Sequence, residues 1–551
     1  MTFTEETSIM KRYKLETGGI RIPHTAGMTG EEADRRAVEK AAEKIRRETG
    51  VRAENLKIAR KSVDARRGEI SFVYTVCGEV TAGGRAAARI EASGAKGGEI
   101  RLHSDPVLTP VKGDRPLEYR PVIVGFGPAG MFAGLVLASE GYRPLIFERG
   151  GSVEERAAAV ERFVRDGVLD PECNIQFGAG GAGTFSDGKL TTRISDPLTA
   201  WVMESLHTLG APDDILYKSR PHIGTDVLRQ VVKNADAKIR SMGGEIRYHA
   251  AARDIGDGRL TADGERIPYD ALILAAGHSA RDTVGELIAS GFAVEAKPFS
   301  VGVRAEHLQK DIDEALFHEH AGDPSLGRGE YQLSCRRGDR GCYTFCMCPG
   351  GVVVPSASEE GGVVTNGMSE RARDGVNANA AVCVSVHPSD FGGSPLEAIA
   401  FQRELERRAF EAGGRTYAAP FQTVGDLLSG KRGTDYGAIV PTYRNGAVVS
   451  ADFAELLPPF VTELLREGLT DFGRKLRGYD RADVPLTGIE TRTSSPVRIL
   501  RGEDGLAVGK AAEGIYPCGE GAGYAGGIVS AAVDGVRTAL KLMAAYRPEE
   551  E

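Results

Sequence analysis

Three of the chain's eight cysteines, Cys342, Cys346 and Cys348, fall in the run GCYTFCMCPGG, residues 341–351. Thiols at that density can ligate a metal, form a redox-active disulfide, or simply pack. Tyr343, Thr344 and Phe345 are strand formers, so the run reads as a β-strand closed by Pro349-Gly350-Gly351. In an undistorted strand, Cys342, Cys346 and Cys348 share one face with Thr344. Same-face neighbours then stand about 6.6–7 Å apart at Cα, and Cys342 about 13 Å from Cys346. That spacing excludes tetrahedral zinc and disfavours a Cys346–Cys348 bond. An iron–sulfur cluster wants four suitably spaced cysteines, and this run has three. No metal is expected. Two readings stay open: buried thiols packing a strand, or thiols in the wall of a pocket that the Gly-Gly turn lets a ligand approach.

A second motif carries phosphate chemistry. In VIVGFGPAG, Gly125, Gly127 and Gly130 form G-x-G-x-x-G after an apolar strand and before a helix. The first glycine permits a tight turn, the second leaves room for a pyrophosphate, and the third lets helix and strand pack closely. The helix N-terminus then faces the phosphates, which brings Pro128 and Ala129 into the site. Glu148, ending the next strand in YRPLIFERG, can accept hydrogen bonds from a ribose diol, and Arg149 follows it. A carboxylate there disfavours a 2′-phosphate, so the dinucleotide is not of the NADP type.

FGAGGAGTFSDGKL, residues 177–190, is glycine-rich but has no buried strand before it. It reads as a loop lying against the bound cofactor through Gly180, Gly181, Ala182, Gly183 and Thr184. The strand in RIPYDALILAAGHSARDT ends at Gly277, next to the dinucleotide. Far along the chain, YPCGEGAGYAGGIVS sets Gly519 and Glu520 among glycines, before a helix expected to begin near Gly526, Gly527 and Ile528. Two distant segments converging on one ligand suit an extended FAD better than NAD.

These segments need a scaffold. At 551 residues the chain should hold two to four domains. The expected fold is α/β, a Rossmann-like FAD-binding domain interrupted by an inserted α+β domain, with a small N-terminal α+β module. The expected boundaries are 1–100 for the module and 101–120 for a linker. The FAD-binding domain takes 121–290 and 491–551, with 291–490 the insert. In the module, Ala37, Val38, Ala41, Ala42 and Ile45 make a helical face ended by Gly50, and a strand starts at Ile70. Strand-like runs in the insert include FSVGVRAEH, YTFCMC, GVVVP and GAIVP.

Composition narrows the class. A hydrophobic fraction of 41% and a charged fraction of 26% fit an ordinary globular protein. The formal net charge of −8 counts against a broad nucleic-acid surface. MTFTEETSIMKRYKLETGG has no apolar core of an export signal, and VIVGFGPAGMFAGLVLASEGY is interrupted by its glycine turn. A cytoplasmic protein with reduced cysteines and no membrane span is expected.

Five stretches, VIVGFGPAGMFAGLVLASEGYRPLIFERG, NIQFGAGGAGTFSDGKLTTR, YTFCMCPGG, TGIETRTSSPVRI and YPCGEGAGYAGGI, resemble a known family. It is the bacterial family of uncharacterised FAD-dependent dehydrogenases, within the glutathione-reductase-like FAD superfamily. The resemblance covers almost the whole chain. It implies that Glu148 binds the adenosine ribose and that Glu520 lies by the ribityl or pyrophosphate portion. It sets Gly526 and Gly527 near the isoalloxazine, and Cys346 and Cys348 in a functional pocket. Many superfamily members have Asp where this chain has Glu520.

The expected activity is an FAD-dependent dehydrogenase or reductase acting on a small organic substrate, with transient NAD(P)H or a protein electron carrier as redox partner. A flavin-dependent monooxygenase and an FAD-using RNA-modifying protein are the alternatives. Ser186, Asp187, Lys189 and Arg193 face the ring in the expected arrangement, Lys189 as a positive charge for reduced flavin or a carboxylate. Arg492 either forks an acidic substrate or pairs with Glu490, with Thr493 beside it. Tyr343, Cys346 and Cys348 complete the catalytic candidates, Tyr343 as a proton donor. His278 bonds a phosphate or caps its turn, while His222 and His387 read as structural. There is no second nucleotide-binding βαβ unit, and Cys173 stands alone after the first helix, which disfavours a disulfide reductase.

Overall fold

A computed structural model describes residues 10–65, 69–95, 99–103, 108–192, 194–433 and 435–548. Arg193 and the first nine residues of the segment read for an export signal lie outside them. Among the described residues, no helix is long and apolar enough to cross a membrane.

The chain forms two compact units. The smaller comprises residues 1–107 with 212–221 and 316–329. Its four-stranded sheet runs Glu54–Asp64, Ser71–Ala82, Lys11–Pro23, Ile100–Leu102. The strand Lys11–Pro23 pairs antiparallel with Ser71–Ala82 and Ile100–Leu102, and Glu54–Asp64 with Ser71–Ala82. Helix Gly30–Thr49 is capped by the Thr29 side chain and stopped by left-handed Gly50. It buries Ala33, Ala37, Ala41 and Ile45, a stripe at helical spacing. Val38 and Ala42, expected on that face, are only partly buried, because the sheet covers a narrower stripe.

The two largest sheets of the larger unit position the site. The first is five-stranded and wholly parallel, in the order Ile515–Pro517, Leu272–Leu274, Val122–Val124, Leu145–Phe147, Glu245–Arg247. Strands Val122–Val124, Leu272–Leu274 and Ile515–Pro517 are apolar and fully buried, as parallel strands covered on both faces must be. Helix Pro128–Ser139 follows strand Val122–Val124 with proline in its first turn, and nearly all of it is buried. This Rossmann-like sheet takes its edge strand from beyond the second sheet, so an inserted α+β region interrupts it in sequence.

The second sheet has seven strands, ordered Ser334–Arg337, Arg340–Cys348, Asn377–Val386, Phe299–Leu308, Pro485–Glu490, Ala419–Thr423, Val448–Ser450. Its central strands Phe299–Leu308 and Asn377–Val386 are buried along nearly their whole length. GAIVP, residues 437–441, is not a strand. Side chains hold its end instead: Asn377 Nδ2 donates to Val440 O at 2.9 Å, and the next residue but one, Thr442, gives its N–H to the Glu306 carboxylate.

The cysteine strand is not regular either. From Phe345 to Cys348 it advances three residues while its partners, Ala381 and Asn379, are two apart, so it carries a β-bulge. Cys346 has φ +43°, the left-handed region. The expected single face of Cys342, Thr344, Cys346 and Cys348 is therefore wrong beyond Thr344. Cys342, Thr344 and Cys348 are buried and Cys346 is exposed. A period-2 pattern cannot reveal an extra residue that depends on the neighbouring strand.

Candidate functional site

The glycine turn is built around a buried carboxylate. Glu148 accepts three backbone N–H bonds, from Phe126 at 2.7 Å, Gly150 at 3.0 Å and Gly178 at 2.9 Å. Gly125 has φ +96°, and a Cβ there would stand 2.3 Å from Ala275 O. A Cβ on Gly130 would stand 2.0 Å from Gly125 O, so turn and helix touch backbone to backbone. Gly180 N–H donates to Phe126 O at 2.8 Å and ties the second glycine segment to the first. That segment is clamped by Arg156, which is fully buried and donates to the carbonyls of Asn174, Ile175, Gly178 and Ala179.

The other two strand ends complete this side. Leu272–Leu274 leads to Gly277 and His278, and Ile515–Pro517 leads to Gly519 and Glu520. Asp534, on helix Ile528–Ala545, accepts from Gly519 N–H at 2.7 Å and pairs with Arg501. The two helices that start at the site, Pro128–Ser139 and Ile528–Ala545, both have glycine N-caps with no side-chain cap. Their first-turn amides are left for something other than a cap.

The seven-stranded sheet supplies the opposite wall. Buried Arg304 donates to both oxygens of Glu490, at 2.9 and 2.8 Å, to Asn379 Oδ1 at 2.7 Å and to Cys346 O at 3.3 Å. Lys189 bonds Asp187 at 2.7 Å and also reaches Met347 O. Buried Arg304 and partly exposed Lys189 thus hold consecutive carbonyls of the bulge, which keeps Cys346 in its uncommon conformation. Burial works to raise Asp187, but Lys189 and Arg373 hold it down at about 2. Burial works to lower Lys189, and Asp187 more than offsets it, so the ammonium is raised. Cys346 is exposed only toward the cavity, and the protein packed around its thiol desolvates it and pushes it up to about 12, with Cys348 adding to it. Cys348 is raised by burial too, against the pull of Lys189.

Both walls border one cavity that opens to solvent. Of the residues expected at the cofactor, Gly125, Gly127, Pro128, Ala129, Glu148, Gly181, Ala182, Gly183, Gly277, Glu520, Gly526, Gly527 and Ile528 line it. Gly130, Arg149, Gly180, Thr184 and Gly519 stand outside the lining. Gly130, Gly180 and Gly519 are packing positions, where a Cβ would meet neighbouring atoms at 2.0, 2.2 and 2.7 Å. Arg149 pairs with Asp282 and covers the Phe177 ring, and Thr184 is buried with its carbonyl taken by Thr225.

Of the catalytic candidates, Lys189, Cys346, Cys348 and Arg492 line the cavity and Tyr343 does not. The Tyr343 hydroxyl donates to Ser300 Oγ at 2.6 Å. Arg492 is held by Glu406, Ser279 and Ser358, so its carboxylate partner is Glu406, while Glu490 belongs to Arg304. His222 contacts Arg371 O, His387 lies in a turn with Asp390, and neither lines the cavity.

Asn366 and Gly367 line the cavity without any sequence signal, whereas Gln176 and His278 lie in the stretches NIQFGAGGAGTFSDGKLTTR and RIPYDALILAAGHSARDT. Gln176 accepts from Ser279 Oγ and donates to Ser356, while Asn366 and Gly367 come from a short strand of no motif. His278 keeps its Nε2 buried without a partner among the described residues. A Cβ added at Gly277, Gly526 or Gly527 would meet nothing within 4 Å. An orphaned ring nitrogen, bare glycine rims and two uncapped helix starts fit an extended phosphate-bearing cofactor.

Burial raises Glu520 from 4.5 to about 7, with Lys297 opposing. The folded state therefore holds a proton that the unfolded chain has released between these values. Its contribution to stability is complete below about 4.5 and is lost as pH rises through about 7. Burial lowers His278, His222 and His307 to about 4, which acts in the opposite sense. The difference between wild type and Glu520→Gln isolates the carboxyl. In chemical denaturation across that window, wild type should lose stability relative to the variant, and a constant difference would refute the assignment.

Residues 298–493 match a family described as "FAD-dependent protein, C-terminal domain-like". An uncharacterised protein of Clostridium beijerinckii is 48% identical over 435 residues, covering 78% of this chain and 81% of its own. Among solved structures, CtdE in complex with FAD aligns at 13% identity and TM-score 0.29 over 77% of this chain and 86% of its own. A flavin-dependent brominase aligns at 12% identity and TM-score 0.32, covering 78% and 81%. Glycine oxidase from Bacillus cereus aligns at 10% and 0.28, covering 77% and 95%. The chain belongs to the same bacterial family of uncharacterised FAD-dependent proteins as its Clostridium beijerinckii relative.

Proposed function

We propose that this protein is an FAD-dependent oxidoreductase that moves a hydride between the flavin and a small organic molecule. The observation that carries this reading is one cavity bordered on one side by the glycine turn and Glu148, and on the other by Cys346, Cys348, Asn366, Lys189 and Glu490. FAD supplies two-electron chemistry at its ring when bound. The residues have separable tasks. Glu148 spends three of about four lone-pair sites on backbone amides and keeps one for a ribose hydroxyl. The amides at the Gly127 and Gly527 helix starts face phosphate and other electron-rich oxygens. Lys189 offers positive charge at the cavity wall, and Asn366 offers neutral hydrogen bonds. The redox partner is NAD(P)H arriving transiently or a protein electron carrier.

Anaerobic stopped flow tests the proposal by following flavin reduction with NADH, NADPH and a panel of small metabolites. Reduction by a nicotinamide identifies a reductase or monooxygenase, and reduction by a metabolite alone identifies a dehydrogenase or oxidase. A purified protein that binds no FAD on reconstitution overturns the reading. Lys189→Met should slow reduction by about tenfold to a hundredfold while flavin content stays at wild-type level. An unchanged rate would remove Lys189 from the reaction and leave it as a support for the bulge.

A further inference from the structure

Away from the cavity, Cys335 and Cys342 face each other across the hairpin of strands Ser334–Arg337 and Arg340–Cys348. Thr344 N–H donates to Leu333 O at 2.8 Å, and the register steps in twos to Cys335–Cys342. The cysteines are therefore a hydrogen-bonded antiparallel pair, with Cα atoms about 5.5 Å apart, inside the range a disulfide spans. Their side chains are in hydrogen-bonding contact. Gly468, in helix Pro459–Lys475, makes room for them. A Cβ there would stand 2.4 Å from Cys342 Sγ and 3.6 Å from Cys335 Sγ. Cys335 is partly exposed on the sheet's edge strand, while Cys342 is buried behind it.

We infer that Cys335 and Cys342 form a thiol–disulfide exchange site, with Cys335 as the attacking sulfur, Cys342 as the resolving sulfur and a small or protein disulfide as the oxidant. The Cys335 thiolate attacks one sulfur of the incoming disulfide, forming a mixed disulfide and expelling a thiolate. Cys342 then gives up its proton and attacks Cys335 Sγ, forming the internal bond and expelling the second thiolate. The protein dithiol loses two electrons and two protons, and the incoming disulfide leaves as two thiols. The division of labour matches the surroundings. The Cys342 hydrogen bond lowers Cys335 to about 7 against burial and Asp471, with Lys475 assisting. That contact and burial raise Cys342 well above its ordinary value.

Oxidised glutathione is the probe, applied to the folded, full-length protein. Arg336, Arg337 and Arg340 lie between the two cysteines, so trypsin separates them and a new bond appears as a linked peptide pair. The expected products are that pair and two reduced glutathiones per chain. In Cys342→Ser, glutathione should stay on Cys335, and in Cys335→Ser neither position should react. Iodoacetamide should modify Cys335 with a midpoint near pH 7, the value of about 7 for that thiol. Persistent glutathione on wild-type Cys335, or no reaction of either sulfur in the folded protein, overturns the inference. If Cys342→Ser does not fold, the wild-type peptide map decides alone.

Discussion

Glu148→Ala should strip the protein of its flavin. The substitution leaves the N–H groups of Phe126, Gly150 and Gly178 without an acceptor inside a dry turn. Each hydrogen bond to a charged group contributes about 1.5–3 kcal/mol, and all three amides belong to the loops that shape the cavity. The FAD dissociation constant should rise at least about a hundredfold, equivalent to about 3 kcal/mol. Glu148→Gln keeps one acceptor oxygen but points an amide donor at a backbone donor, so it should fall between the two. Titration of apo-protein with FAD, followed by flavin fluorescence, gives the numbers, and circular dichroism separates lost affinity from lost fold. A folded Glu148→Ala protein that keeps stoichiometric flavin would reduce this carboxylate to decoration.

The second large effect is on stability. Arg304→Met removes the partner of Glu490 in a buried pair whose side chains are 0% and 4% exposed. One hydroxyl, Thr365 Oγ1, is left to the carboxylate. Breaking one side of such a pair costs about 3–5 kcal/mol, because the surviving charge is stranded away from water. Urea denaturation should show that loss as a shift in midpoint. The double variant Arg304→Met/Glu490→Leu should recover most of it, since no charge is left unpaired. A single variant within about 1 kcal/mol of wild type would mean that water reaches the pair. The Cys346 carbonyl also loses a donor, so the bulge should relax and bound FAD should report a changed visible spectrum.

The parts of the site legible in the sequence are those that act within a few residues of chain. Gly125, Gly127 and Gly130 announce a turn because each meets a local steric demand, and Glu148 follows at the strand spacing of one βαβ unit. Gly526 and Gly527 were readable as a helix start for the same reason. Arg304 gave no sign, because its partners Asn379 and Glu490 reach it only through the order of strands in the sheet. Arg156 looks like any other arginine of its helix until four carbonyls are seen to converge on it. The pairing of Cys335 with Cys342 was hidden similarly. Cys342, Cys346 and Cys348 crowd along one strand, while the cysteine opposite Cys342 belongs to the adjoining one.

The order of strands in the parallel sheet has a consequence during synthesis. Leu272–Leu274 pairs on one side with Val122–Val124, already made, and on the other with Ile515–Pro517, which the ribosome delivers only after the whole seven-stranded sheet. Until then the nascent chain carries an unpaired apolar edge, a template for aggregation. The four-stranded sheet of the smaller unit has all its strands in hand far earlier. Chains interrupted before residue 515 would lack both the edge strand and the Glu520 wall, and would be prime clients for chaperones and proteases.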